Sequence, residues 1–492
     1  MPLPRRIAAV VVAGAMLVLT SPTVAGAQSL RWKQCGGGLE CTSLDVPVDY
    51  NQPNGEQLTI AVARRPASDP RHSIGSLVVN WGGPGDPGTE TLRLFADSFP
   101  REIRRHFDLV SFDPRGTGSS RPIDCVDDAT FERLLNEDPT PDTPGELPHF
   151  YDGSNSAVDF IQACIDKFGP WLAGVGSRNV ARDLDRMRAA MGERRLNFLG
   201  YSYGTVIGAV YAQLFPHRVR TMVLDSAVNL SDTEQSAQLG NLRGFERALD
   251  GFLTDCASKR DCAFRSNGKP RRALEQLRDR FEGGLTVPTD DGRTAGEATF
   301  YAALLGALYD RETGWPLLAA ALHQVVAKHD GSLLALTADT QTGRRENGTY
   351  DNIREAIGFI TCDDRPDPLV PFDEYRTTFE QYSREYPFFG RFVAAYPLGC
   401  DPRLPRPAPG TALDDVRTAD APPVLVIGTT RDPATPYSGA RDLQRRLRGS
   451  RLLTFVSTEH GSYGKGITCI DDAVDRYLVR RSLPPRGVRC QA

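Results

Sequence analysis

The hydrophobic positions in the first half of the chain fall into short uninterrupted runs rather than alternating ones. Residues 76–80, 107–112, 196–199 and 221–224 are apolar runs that end in Gly, Asp or Ser clusters. Runs of this length read as strands covered on both faces, as in a parallel sheet. Between them the pattern takes on helical spacing over 180–191 and 206–214. Strands alternating with helices predict an α/β fold with a doubly wound, mostly parallel sheet. The alternation stops near Asn229. From there to about Asp420 amphipathic stretches such as 242–253 and 302–318 dominate, which predicts an inserted, mainly helical cap. Residues 423–428 resume the strand pattern, a helix follows over 440–447, and 451–456 is a last strand, with 402–409 as the linker back. The predicted organisation is a first part of the core over 28–228, cap and linker over 229–420, and the rest of the core over 421–492.

The N-terminus has a different character. Arg5 and Arg6 precede an apolar stretch over 7–19, and Ala25-Gly26-Ala27 follows, the pattern of an export signal cleaved after residue 27. The stretch is shorter than the roughly 20 residues that span a bilayer, and no cysteine follows the cleavage point to carry a lipid. A secreted or cell-envelope protein with no stable membrane insertion is expected.

All ten cysteines lie beyond residue 27, and an even number in an exported chain reads as disulfides. Neighbour order suggests Cys35 with Cys41, Cys125 with Cys164, Cys256 with Cys262, Cys362 with Cys400, and Cys469 with Cys490. No CxxC pair or nearby histidine spacing points to a metal. At 40% hydrophobic and 24% charged residues, net charge −4 and no block of Lys or Arg, the composition is globular and offers nothing to a nucleic acid. The sequence does not specify an oligomeric state.

One stretch carries chemistry. Gly200-Tyr201-Ser202-Tyr203-Gly204 follows a predicted strand and opens a predicted helix, the setting of a nucleophile elbow, where a strained turn exposes a serine at the strand's C-terminal end. A serine hydroxyl needs a base, and the base an orienting acid, which in this fold follow in the order Ser, Asp, His. Asp432 comes after the resumed strand, in RDPATP at 431–436, where Thr435 before Pro436 reads as a helix N-cap. His460 follows the last strand. Asp225, at the end of the strand after the elbow, is the competing acid. Trp81-Gly82-Gly83-Pro84-Gly85 supplies an early-strand loop for an oxyanion hole, with the N–H groups of Gly83 and Tyr203 as donors and Gly82 as the alternative to Gly83. The triad and these donors call for no cofactor.

WGGPG at 81–85, FDPRGTGSS at 112–120, GYSYG at 200–204, the cap, and RDPATP followed by His460 resemble exported actinobacterial tripeptidyl aminopeptidases, relatives of the proline iminopeptidases among the α/β-hydrolases. The resemblance covers nearly all of the mature chain, including their C-terminal domain after about residue 390. It implies a serine exopeptidase with Ser202, Asp432 and His460 as triad, acting on free peptide or protein N-termini. Trp81 stands where many relatives carry histidine, so no side-chain role there is carried over. Binding a protonated α-amine requires a carboxylate, and Asp363 and Asp364, beside Cys362, are the candidates from the cap. The same triad would also serve a carboxylesterase or lipase.

Overall fold

The computed structural model describes residues 30–156, 158–407 and 412–491; the export-signal reading lies outside them. Twelve strands are present among these residues: β1 Lys33–Gln34, β2 Glu40–Pro47, β3 Gln57–Arg65, β4 Ser76–Asn80, β5 Asp108–Phe112, β6 Leu196–Tyr201, β7 Val219–Asp225, β8 Val287–Pro288, β9 Thr294–Ala295, β10 Leu425–Thr429, β11 Arg451–Val456 and β12 Arg489–Gln491. Ten of them form one sheet in the order β1-β2-β3-β5-β4-β6-β7-β10-β11-β12, and β8 pairs only with β9. Pairing is antiparallel from β1 to β5 through β3, and parallel from β5 onward to β12.

The apolar runs follow from burial on both faces. Along the central strands, successive side chains enter two different cores. Val78, Val110, Phe198, Met222, Leu224 and Val426 pack on one face with helices Ser177–Ala190 and Gly204–Leu214. Leu77, Val79, Leu199, Val223 and Ile427 pack on the other with helix Thr468–Arg480. Polar residues have no solvent-facing side to occupy in these strands.

Between β7 and β10 the chain is mostly helical and builds a third core around Phe252, Phe281, Phe300 and Phe389. The single amphipathic stretch expected over 302–318 is two helices, Glu297–Leu308 and Gly314–Lys328. Asp310 breaks it by accepting the N–H groups of Glu312 and Thr313, each at 2.9 Å. Gly314 then packs so closely that a Cβ there would lie 2.1 Å from the Ala307 carbonyl.

One helix of this insertion, Ile353–Asp364, joins the sheet's own core through Ala356, Phe359 and Ile360. Its polar residues reach core loops. Asn352 takes the N–H of Gly118 at 3.0 Å and donates to the carbonyls of Gly116 and Ile123. Glu355 takes the N–H of Cys125 at 2.8 Å, and burial pushes its carboxyl up to about 7.

The cysteines pair as Cys35–Cys41, Cys125–Cys164, Cys256–Cys262, Cys362–Cys400 and Cys469–Cys490. The last ties β12 at the sheet edge to helix Thr468–Arg480 across a separation of 21 residues, a closure worth about 3 kcal/mol in chain entropy. Among the described residues no helix is long and apolar enough to cross a membrane.

Candidate active site

Ser202 lies between the end of β6 and helix Gly204–Leu214 with φ +52°, a left-handed conformation that costs a side-chain-bearing residue roughly 1–2 kcal/mol. Its neighbours hold it there. Its N–H donates to the Asp225 carbonyl at 2.9 Å, and its own carbonyl accepts the N–H and hydroxyl of Thr205 at 2.9 and 2.6 Å. The flanking glycines are packing requirements, since a Cβ on Gly200 would meet the Gly204 carbonyl at 2.4 Å. One on Gly204 would meet the Asn80 carbonyl at 2.5 Å.

The loops after β10 and β11 bring Asp432 and His460 together. His460 Nδ1 lies 2.9 Å from Asp432 Oδ1 and 3.1 Å from Oδ2. Asp432 is fully buried and accepts the N–H groups of Ala434 and Thr435, each at 2.9 Å. Burial by itself would raise its pKa; the charge of His460 and these hydrogen bonds outweigh burial and hold it below the ordinary carboxylate value. Thr435 is not the N-cap expected from sequence. Helix Tyr437–Arg446 starts one residue later, with Pro436 at its N-cap. The Thr435 hydroxyl is instead committed to Asp432 Oδ2 at 3.0 Å, and lies 3.4 Å from His460 Nδ1.

Asp225 occupies a different position from Asp432. Fully buried at the end of β7, it accepts the N–H groups of Ser462 and Tyr463, each at 2.9 Å, and the Ser462 hydroxyl at 3.0 Å. The next residue, Ser226, has φ +55° and takes the Gly461 N–H at 2.8 Å. Ser226 carries no motif, and nothing in the sequence singles it out. Tyr309, at the break between two helices of the insertion, is likewise unmarked. Its carbonyl accepts the His460 N–H at 3.1 Å, and its ring stands edge-on to the imidazole at 5.1 Å.

The two alternatives for the oxyanion loop are distinguished by their hydrogen bonds. The Gly82 N–H is donated to Asn80 Oδ1 at 3.1 Å. Among the described residues, the N–H groups of Gly83 and Tyr203 have no acceptor. Gly82 also has to be glycine, because a Cβ there would sit 2.7 Å from the Tyr201 carbonyl and 2.8 Å from the Tyr203 nitrogen.

An elbow at the end of parallel strand β6, with an Asp–His pair on the loops after β10 and β11, the two strands beyond its neighbour β7, is the arrangement of one fold family, and that family's description, alpha/beta hydrolase fold, matches residues 75–466. The chain belongs to the α/β-hydrolases. This hydrolase is also similar over most of its length to three groups of proteins. It is 37% identical over 485 residues to the serine protease Hip1 of Mycobacterium tuberculosis, covering 94% of this chain and 91% of that protein. It is 34% identical to carboxylesterase B of the same species, with 96% and 91% covered. It is 32% identical to the tripeptidyl aminopeptidase of Streptomyces coelicolor, with 95% and 87% covered.

Asp363 and Asp364 sit at the end of helix Ile353–Asp364, and in this hydrolase both are buried inside a helix cap. Asp363 accepts the Gly176 N–H at 2.6 Å, and Asp364 accepts the N–H and hydroxyl of Ser177 at 2.8 and 2.5 Å. Together they close the N-terminus of helix Ser177–Ala190, where negative charge is favoured. Asp364 also accepts the hydroxyl of Tyr203, next to the elbow serine. Burial and the charge of Asp364 push Asp363 up to about 7. Only 4% and 1% exposed, the two carboxylates present no surface to an incoming ammonium.

Asp86 is the contrasting case. It follows the Gly82-Gly83-Pro84-Gly85 loop directly, donating its N–H to the Gly82 carbonyl at 3.2 Å. Its carboxylate has the Thr91 hydroxyl as partner at 2.8 Å, and no cation pairs with it among the described residues. Burial pushes it up to about 7, with Asp351, Asp113 and Glu90 adding to the rise against the Thr91 hydrogen bond.

Proposed function

We propose that this hydrolase is a secreted serine exopeptidase that releases short peptides, tripeptides first among them, from free N-termini through an acyl-enzyme. The observation that carries the reading is the His460–Asp432 pair on loops fastened to the end of β7, the strand whose Asp225 carbonyl also holds Ser202.

Ser202 Oγ attacks the scissile carbonyl while His460 Nε2 takes its proton. The Nδ1–H donated to Asp432 sets that tautomer, and the carboxylate stabilises the imidazolium. The N–H groups of Gly83 and Tyr203 receive the oxyanion. The imidazolium then protonates the leaving amine as the C–N bond breaks. Water, deprotonated by His460, attacks the resulting ester; the imidazolium returns that proton to Ser202 Oγ as the acyl–oxygen bond breaks, releasing the peptide with a free carboxylate and restoring the serine.

The relatives named serine protease and tripeptidyl aminopeptidase support peptide substrates. Five disulfides and the signal pattern over 1–27 support secretion. The helical insertion serves as the cap that limits what reaches Ser202, and Asp86 takes the substrate's α-ammonium, the cation its carboxylate lacks. The similarity to carboxylesterase B favours a second reading, ester hydrolysis by the same triad. A panel of chromogenic mono-, di- and tripeptides, free and N-acetylated, beside short-chain esters separates the two. The exopeptidase reading expects a free tripeptide to be turned over best; equal cleavage of free and acetylated peptides, or turnover of esters alone, rejects it.

A further inference from the structure

The catalytic loops stand at the C-terminal ends of the parallel strands. At the opposite ends of β6, β7 and β10 lies a cavity of about 290 Å³ lined by Arg195, Arg220, Arg480 and Arg481 together with Pro423 and Tyr477. No Asp or Glu lines it, and among the described residues none of the four guanidinium groups pairs with a carboxylate. That is unusual for a chain of net negative charge whose arginines are widely paired elsewhere, as Arg293 is with Asp339 and Arg446 with Asp442.

Arg220 is half-buried and forms the floor of this arrangement. It donates to Asn197 Oδ1 at 2.8 Å and to the carbonyls of Leu478 and Val479 at 2.9 and 3.2 Å. Those carbonyls belong to the last turn of helix Thr468–Arg480, the end that would otherwise turn negative partial charge on the cavity. Burial, followed by the positive charge of Arg481, holds Arg220 below the ordinary guanidinium value. Glu193 lies close enough for its charge to act on Arg220, and that carboxylate is engaged by the Ser76 N–H at 2.9 Å. Arg481 itself occupies the helix C-cap with φ +57°, a position where glycine is the usual residue. A cation thus stands where the backbone alone would favour no side chain.

Guanidinium groups match tetrahedral oxoanions in fork geometry and stay charged at all physiological pH values, and several unneutralised ones around a single space gain most from one shared anion. We propose that this cavity binds a phosphate group, presented either as a free phosphate ester or as the headgroup of an anionic lipid. The cavity is wider than phosphate alone requires, which leaves room for the esterified part. A molecule held by this edge keeps the Ser202 edge of the sheet on its far side, open to substrate.

Isothermal titration of the mature protein with inorganic phosphate at constant ionic strength tests the site, with a double variant Arg195→Gln/Arg481→Asn as control. Both arginines are exposed, asparagine tolerates the left-handed position, and turnover of a small substrate reports on folding. The expected result is saturable phosphate binding that the double variant weakens at least tenfold with turnover unchanged. Should that variant lose turnover, Arg480→Gln alone supplies the same comparison. Co-sedimentation with phosphatidylglycerol vesicles, absent with phosphatidylcholine and lost in the variant, assigns a lipid headgroup; phosphate binding without sedimentation assigns a free ester. Absence of saturable phosphate binding, or binding that the variants retain, overturns the proposal.

Discussion

Asp225 holds Ser462 by both its N–H, at 2.9 Å, and its hydroxyl, at 3.0 Å, while its own carbonyl takes the N–H of Ser202 at 2.9 Å. One buried residue thus sets the elbow and the loop of His460 relative to each other. The two candidate acids consequently have separable roles. Asp432→Asn removes the charge that faces His460 Nδ1 and should cut kcat by at least a thousandfold. Asp225→Asn leaves the pair intact but offers one acceptor where two oxygens serve, so it should cost at least about 2 kcal/mol of stability and a smaller part of kcat. Measuring kcat and denaturant midpoints for both variants checks this, and the reverse ranking would make Asp225 the acid.

Ser202→Ala tests the nucleophile itself. Alanine fills less space in the same strained turn and keeps every backbone hydrogen bond of the elbow, so the variant should melt within a few degrees of the parent. Its turnover should fall at least roughly a thousandfold, since no acyl-enzyme can form. Near-normal turnover would place the nucleophile elsewhere.

Thr435 shows how local sequence signals mislead at the candidate site. The Thr-Pro pair reads as a helix cap, yet its hydroxyl serves the buried charge of Asp432. Thr435→Val keeps the shape and removes a hydrogen bond to a charged group, worth about 1.5–3 kcal/mol. A ten- to hundredfold drop in kcat with KM little changed is expected, and Thr435→Ser should restore most of it. A valine variant with unaltered kcat would reduce the hydroxyl to a packing role.

Much of the fold was legible because the central strands are buried on both faces. Residues 76–80 and 451–456 match β4 and β11 to the residue, since the apolar centre of each run has only one environment that suits it and polar residues mark its ends. The antiparallel strands β2 and β3 escaped notice because charged and polar residues such as Asp45, Arg64 and Arg65 interrupt their patterns. In the site, the elbow was readable from glycines that backbone contact makes obligatory. Ser226 and Tyr309 were not, because they reach the site through single long-range hydrogen bonds, which leave no spacing along the chain; Asp86, proposed for the substrate amine, is set apart only by its burial.

The cap of helix Ser177–Ala190 carries a pH signature. Asp363 in the unfolded chain titrates near 3.9, whereas in the fold burial and Asp364 push it up to about 7. The native state therefore binds more protons between roughly pH 4 and 7, and its stability falls as pH rises through that window. Asp363→Asn cannot ionise and can still accept the Gly176 N–H. Relative to the parent it should be near parity at pH 4 and progressively more stable up to pH 8, as read by urea unfolding at each pH. An advantage that does not grow with pH would mean that Asp363 titrates normally in the fold.

The last prediction concerns the substrate amine, and it rests on which carboxylates are already occupied. Asp363 and Asp364 cap a helix from inside the protein, whereas Asp86 adjoins the proposed oxyanion loop with a threonine hydroxyl as its partner and, among the described residues, no cation. An α-ammonium bound there would favour the ionised carboxylate and offset the burial that raises it. Asp86→Asn, which can keep the Thr91 hydrogen bond, should lower kcat/KM for a free tripeptide at least tenfold while leaving the N-acetylated peptide unchanged. Asp363→Asn should leave the preference for the free amine intact. The sign with pH follows from the same group. Asp86 free of ligand is protonated below about 7, so kcat/KM for the free peptide should rise through that pH relative to the acetylated one, and the rise should vanish in Asp86→Asn. If acetyl discrimination persists in Asp86→Asn and disappears in Asp363→Asn, the amine is held by the helix-cap carboxylates after all, and the insertion must open to admit it.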